Sequence, residues 1–264
     1  MAVKIMTEPA QMQKASRAWR KKGLKVALVP TMGALHKGHL ALIRRARAIA
    51  DRVVVSSYVN PAQFHDLSDL RRYPRRPGQD AVLARQAGAD VLFRPASLYA
   101  KDASTWVVET NRSRGLCGAR RPGHFRGVAT VVAKLLNLVQ PGIAVFGVKD
   151  RQQCEVVERM ARDLFFPVRM VRQPVIRESD GLPLSSRNLR LSRGQRQAAG
   201  EWARVLRKAA AAGPRRSIGQ YRRLVKKIRG IRPEYLESDG SHLHAAVRIG
   251  GVRLIDHRAF GRPR

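Results

Sequence analysis

Residues 26–50 read VALVPTMGALHKGHLALIRRARAIA, and their change of period decides the fold. Val26 to Val29 form a continuous apolar run rich in β-branched residues, as in a strand buried on both faces. Pro30 should end that strand, because it cannot donate to a ladder. From His36 onward Leu40, Ile43, Ala46 and Ala50 recur at helical spacing, which predicts an amphipathic helix over 36–50. Between them lies a turn with Gly33 and Gly38, where missing side chains let a ligand approach the backbone. The start of the helix offers unpaired N–H groups and a positive dipole end to an anion. His36 and His39 share its first turn. Imidazoles there can hydrogen-bond phosphate oxygens and stabilise charge that grows in a transition state. A metal site would need more ligands than these two, and no nearby cysteine or carboxylate completes a set.

Working outward, strand-like and helix-like segments alternate. RVVVSSYV (52–59), DVLFRP (90–95), GIAVFG (142–147) and VRMVRQPVI (168–176) read as strands. QDAVLARQAGA (79–89), GVATVVAKLLNLV (127–139) and DRQQCEVVERMARDL (150–164) read as helices. This alternation predicts an α/β fold, a Rossmann-like doubly wound parallel sheet, over residues 1–176. Its ligands should bind at the carboxyl ends of the strands. Behind it, 177–192 is loop-like, 201–212 and 217–230 read as helices, and 242–257 reads as a hairpin turning at Gly250-Gly251. Residues 177–264 are therefore expected to form a smaller C-terminal α+β domain.

The chain has 264 residues, 44% of them hydrophobic, enough for a sizeable core. Two cysteines are too few for a disulfide framework and suit a reducing compartment. No signal-like N-terminus and no apolar run of membrane-spanning length is visible, so a soluble, cytoplasmic protein without membrane contact is expected. Lys and Arg number 52 against 19 Asp and Glu, a net charge of +33. Such a field attracts polyanions, nucleic acid included, without sequence preference. The cations are spread along the chain, aromatics are 6%, and no nucleic-acid motif appears, so a solvated surface is the simpler reading.

Further motifs fall after predicted strands. SSYVNPAQF (56–64) presents Asn60 and Gln63, amides that both donate and accept. RPGHFRGVATVV (121–132) carries His124 and Arg126 into a loop before a helix. FGVKDRQQ (146–153) presents Lys149, suited to phosphate, Asp150, suited to Mg²⁺ or a hydroxyl, and Gln153. LPLSSRNLRLS (182–192) sets Ser185, Ser186, Arg187 and Asn188 in a row, the makings of a mobile phosphate clamp.

These motifs, with LRRYPR, RGLCGARRPGHFRGVATVVAKLLNLVQP, RESDGLPLSSRN and the late RLID, occur in an order that resembles the pantoate–β-alanine ligases of the HxGH nucleotidyltransferase superfamily. The resemblance covers nearly the whole chain. It implies an enzyme of pantothenate biosynthesis, on the route to coenzyme A. Such an enzyme joins pantoate to β-alanine with ATP and Mg²⁺ through pantoyl adenylate, releasing pyrophosphate and AMP. It further implies ATP contacts at Met32, Gly33, Ala34, Leu35, His36, Lys37, Gly38 and His39. Gly147, Val148, Lys149, Asp150, Ile176, Leu184, Ser185, Ser186 and Arg187 complete the expected nucleotide set. His39, His36, Lys149 and Arg187 would act on the reacting phosphate. Gln63, Gln153 and Asn60 would hold pantoate or β-alanine, and Asp150 would contact Mg²⁺. A homodimer and a C-terminal domain that closes over ATP are also implied. The chain departs from the usual FGEKD by Val148 and from the usual MSSRN by Leu184. Two alternatives stand beside this reading: a related HxGH enzyme with another substrate, and a weakly active, basic nucleic-acid-binding descendant.

Overall fold

In a computed structural model, residues 3–261 are described. The chain divides into two compact units: one runs to Val148 and resumes at Gln152–Pro174, the other comprises Lys149–Arg151 and the chain from Val175 onward.

The first unit is an α/β layer structure. Its strands are β1 (Lys4–Met6), β2 (Val26–Thr31), β3 (Arg52–Ser57), β4 (Val91–Phe93), β5 (Ile143–Gly147) and β6 (Arg169–Gln173). They form one sheet in the order β1-β4-β3-β2-β5-β6, with every pairing parallel. The helices are α1 (Pro9–Lys21), α2 (Lys37–Arg47), α3 (Leu67–Arg71), α4 (Pro77–Gln86), α5 (Leu116–Arg120), α6 (His124–Val139) and α7 (Arg151–Asp163). The chain steps from β2 to β3 on one side and resumes at β5 on the other. The crevice of a doubly wound sheet opens at such a reversal, at the carboxyl ends of the strands. One apolar core joins Val29, Ile43, Val53, Leu92 and Val145 from strands and α2.

Pro30 does not end β2. The strand continues to Thr31, and Pro30 pairs in register with Ser56. Pairing of β2 with β5 covers only Ala27 and Leu28. Pro30 therefore sits where the strand is paired on one side, a position proline tolerates.

The second unit is α+β. Helices α8 (Arg193–Ala211) and α9 (Pro214–Val225) precede an antiparallel sheet of β7 (Ile231–Ser238), β8 (His242–Ile249) and β9 (Val252–Ala259) in that order. Gly250 and Gly251, at φ +54° and +77°, form the β8–β9 turn. Trp202 and Tyr221, both fully buried, link α8 to α9 through a 2.8 Å bond from indole Nε1 to the phenol oxygen. Helix α8 starts eight residues before the predicted 201, at a capping box between Ser192 and Gln195. Sequence periodicity passed over α1, whose only buried side chains are Met12 and Ser16. It also passed over β7, where a register shift between Pro233 and Tyr235 breaks the alternation.

Candidate functional site

The loop from β2 to α2 is held from below by a carboxylate. Asp80 of α4 is 2% exposed. Its oxygens accept the backbone N–H of Ala34 at 2.9 Å and of Leu35 at 2.7 Å. Ala34 adopts φ +49°, a left-handed conformation unusual outside glycine. Those two bonds oppose the cost of that conformation. Gly33, at φ +79°, passes so close that an added Cβ would lie 2.7 Å from Ser57 Oγ and 2.9 Å from Asp80 Oδ2. Its bareness thus serves the packing of the loop on its own protein. Thr31 completes the brace: its hydroxyl donates to the Ser56 carbonyl at 2.6 Å and accepts from Gly33 N–H at 3.1 Å.

The loop delivers two histidines as a reciprocal cap on α2. His36 Nδ1 accepts the Gly38 N–H at 3.1 Å, and His39 Nδ1 accepts the His36 N–H at 3.4 Å. The rings lie 4.0 Å apart between centroids. When Nδ1 accepts, the proton of a neutral imidazole resides on Nε2. The cap therefore fixes each ring as an Nε2–H donor at a helix N-terminus, where an anion is favoured.

A second cluster is built around the 3₁₀ turn Pro61–Gln63 after β3. Gln63 Oε1 accepts from Asn60 Nδ2 at 3.0 Å, and its Nε2 contacts Met32 Sδ at 3.1 Å. Asn60 also donates to the Gly127 carbonyl at 3.1 Å and is 1% exposed. Its Nδ2 thus stands behind Gln63 and orients it, while its Oδ1 is buried without a hydrogen-bond partner among the described residues. Burial, with the neighbouring Tyr58 phenol, pushes Tyr99 up to about 12, so the phenol beside Asn60 stays neutral. Gly127 allows α6 to approach the turn, because a Cβ there would collide with the Ala62 carbonyl.

His124 and Arg126 are not in a loop. Helix α6 begins at His124, capped by Gly123 at φ +76°. Buried His124 places Nδ1 2.8 Å from the Gln63 carbonyl, and Arg121 Nη2 donates to the same oxygen at 3.2 Å. His124 thus supports the Gln63 turn. On α7, adjacent glutamines divide the work. Gln152 is buried and holds the 112–117 turn, donating to the Arg114 carbonyl at 2.8 Å and accepting the Cys117 N–H at 3.0 Å. Gln153 is half-buried and makes no side-chain hydrogen bond among the described residues.

The remaining expected residues lie at or beyond the end of β5. Gly147 closes that strand and Val148 opens the following 3₁₀ turn. In the second unit, Lys149 Nζ stands 3.4 Å from Asp150 Oδ1. Ser185 Oγ caps the 3₁₀ turn Ser186–Arg190 by accepting the Arg187 N–H at 3.3 Å. Leu184 N–H donates to the Ile176 carbonyl at 3.0 Å, and Asn188 Nδ2 donates to the Pro183 carbonyl at 2.9 Å. The segment is anchored by Arg177, which meets Asp256 with two bonds of 2.8 and 2.9 Å. Asp256 is the aspartate of the late RLID motif. Its side chain is 1% exposed, so the motif serves to hold the Ser-Ser-Arg turn.

Residues 4–259 match the family model described as pantoate-beta-alanine ligase. The chain belongs to the pantoate–β-alanine ligase family. It is 44% identical to the pantothenate synthetase of Oleidesulfovibrio alaskensis, over 98% of this chain and 100% of that protein. Among solved structures, it resembles the pantothenate synthetase of Thermus thermophilus with a TM-score of 0.90 and 39% identity, covering 98% of this chain and 100% of the other. The Francisella tularensis ligase, complexed with β-γ ATP and β-alanine, matches with a TM-score of 0.89 and 32% identity over 98% of both chains. As a ligase of this family the chain has the parallel sheet and the small antiparallel sheet of those structures. The alternative of an HxGH enzyme with another substrate, or of a nucleic-acid-binding descendant, is not favoured by relatives that match along their whole length. Among the described residues no helix is long and apolar enough to cross a membrane.

Proposed function

We infer that the chain condenses pantoate with β-alanine to pantothenate, using ATP as the second substrate. The pantoate carboxylate attacks the α-phosphorus and the bond to the β-phosphate oxygen breaks, giving pantoyl adenylate and pyrophosphate. The β-alanine amine then attacks the acyl carbon, loses a proton, and AMP leaves with the electron pair of the acyl–oxygen bond. No nucleophile from the protein is required. The observation that carries this reading is the reciprocal Nδ1 capping of His36 and His39, within a chain matching the family from residue 4 to 259.

In-line attack gathers charge on the equatorial phosphate oxygens, where preorganised donors are most effective. His39 and His36 supply Nε2–H groups, and α2 supplies its N-terminus. Lys149 and Arg187 add cationic donors, with Arg187 presented by the Ser185-capped turn. Gln63, oriented by Asn60, and Gln153 receive pantoate and β-alanine through their amides. The remaining nucleotide contacts follow the residues from Met32 to His39, Gly147 to Asp150, Ile176, and Leu184 to Ser186.

Mg²⁺ accompanies ATP in this scheme. No group of three or more His, Cys, Asp or Glu converges on a metal among the described residues. Mg²⁺ commonly retains waters and combines one or two carboxylates with substrate phosphates. Asp150, 45% exposed beside Lys149, is a carboxylate of that kind. A metal held there would neutralise charge on the phosphates.

The second unit acts as a lid over ATP, shielding the acyl adenylate from water. The enzyme works in the cytoplasm as a homodimer, and its net charge attracts nucleic acid non-specifically. Exchange of labelled pyrophosphate into ATP tests the central reading. It should require pantoate, and β-alanine should then yield a product of the mass of pantothenate. Exchange that ignores pantoate would refute it.

A further inference from the structure

Between Glu201 and Glu234 the sequence carries eleven Lys and Arg and no acid. This stretch forms the last turns of α8, all of α9 and the turn into β7. All eleven cations are exposed. None takes part in an ion pair among the described residues. Other arginines of the same unit do pair: Arg177 and Arg258 with Asp256, Arg196 with Asp180, and Arg248 and Arg253 with Glu234. Asp180, Glu234 and Asp256 are thus paired elsewhere, and beyond Glu201, which heads the stretch on α8, the hairpin carries cations with no acid among them.

The arrangement on α9 is one-sided. At about 100° per residue, Arg215 and Arg222 share one azimuth, and Arg216 and Arg223 share the next. The buried residues Ser217, Tyr221 and Val225 occupy the opposite arc. The two cationic pairs are seven residues apart, roughly 10 Å along the axis. No large exposed apolar side chain lies in this stretch, so there is no platform on which unpaired bases would stack. Phosphates are the chemistry such a face accepts. A separation of roughly 10 Å suits the rims of a B-form major groove, about 12 Å wide, better than the narrow major groove of A-form RNA.

We propose that the exposed face of the α8–α9 hairpin docks the phosphate backbone of B-form duplex DNA without reading its sequence. This is independent of the ligase reaction and uses none of its residues. Sequence-independent backbone binding follows counterion release, with a slope of about −0.9 per phosphate contacted in a plot of log affinity against log salt.

The test compares two fourfold neutralised full-length variants by fluorescence anisotropy with a mixed-sequence 20-base-pair DNA duplex. One replaces Arg215, Arg216, Arg222 and Arg223 by Gln. The other replaces Lys14, Arg17, Lys21 and Lys22 of the α1 region, also exposed, so net charge falls equally. The hairpin variant should bind at least roughly tenfold more weakly in low salt and with a slope shallower by about 3 to 4. The α1 variant should bind nearly as the parent does. A hairpin variant with Lys at the same four positions should retain binding, and its melting temperature and ligase turnover report that folding is intact. Equal losses in the two Gln variants, or no loss in either, would overturn the proposal. So would tighter binding to a single strand, to duplex RNA or to anionic phospholipid vesicles than to the DNA duplex.

Discussion

The carboxylate of Asp80 accepts the Leu35 N–H at 2.7 Å from inside α4, 45 residues away in sequence. With the companion bond to Ala34 at 2.9 Å, it fixes the backbone that leads into the His36–His39 cap. Asp80→Asn puts an amide where two N–H donors converge, so only one can be accepted. A buried donor left unsatisfied costs about 1–3 kcal/mol. We expect a lower unfolding free energy and a reduced kcat in pantoate-dependent exchange. Full activity with unchanged melting would show that the loop holds itself.

Gly33→Ala should be damaging for a related reason. Its φ of +79° disfavours any side chain, and the new methyl would press on Ser57 Oγ and Asp80 Oδ2. Strain of this kind costs about 1–3 kcal/mol. Denaturant unfolding should record the loss. The KM for ATP should rise more than that for β-alanine.

The proposed mechanism gives His39 two tasks on two nitrogens, and they can be separated. Asn places an acceptor near Nδ1 and lacks the distal donor; Gln reaches toward Nε2 and lacks the cap. His39→Asn should keep most of the melting temperature and lose roughly 10²-fold in turnover. His39→Gln should lose stability and retain more turnover. Turnover that simply follows melting temperature in both variants would assign the histidine to structure alone.

Asp256→Ala removes the partner of Arg177. Breaking a buried ion pair by deleting one member costs about 3–5 kcal/mol. Because Arg177 precedes the Leu184–Arg187 turn, ATP binding should weaken together with stability. Isothermal titration with ATP, set beside thermal melting, reads both.

Acid should undo the second unit. Burial raises Asp239, but bonds from His244, Ser241 and nearby backbone N–H groups outweigh it and hold the carboxyl well below its usual range. Burial likewise raises Glu234, and Arg253 and Arg248 reverse it. Arg196 holds Asp180 low. Depressed carboxylates contribute stability that is fully present above about pH 4 and is lost as pH falls through their folded-state values. Trp202 fluorescence, with Trp19 and Trp106 replaced by Phe, should show the midpoint in urea declining from pH 4 downward. Asp239→Asn should flatten that decline.

Local pattern carried the parallel sheet, because strands and helices of an α/β unit differ in period along a few residues. It also placed His36, Gln63 and Gly147 at or just after the carboxyl ends of strands, where the structure has them. Family resemblance supplied the substrates. Pattern misplaced His124 because the Gly123 before it reads as loop, although a left-handed glycine can equally start a helix. It could not show that the Asn60 amide also reaches the Gly127 carbonyl, a contact made 67 residues away.

The sequence by itself determined the alternation of elements, the histidine pair at a helix start and the charge of the chain, all set by neighbours within a turn or two. Tertiary structure alone decided what those residues lean on. Asp80 beneath Leu35, Asn60 against Gly127, and Asp256 beneath Arg177 are separated by 45, 67 and 79 positions. Bonds across such distances leave no periodic trace, because packing the sheet, not local conformation, brings the partners of the first two pairs together. The third is closed by the antiparallel strands of the smaller unit in the same way.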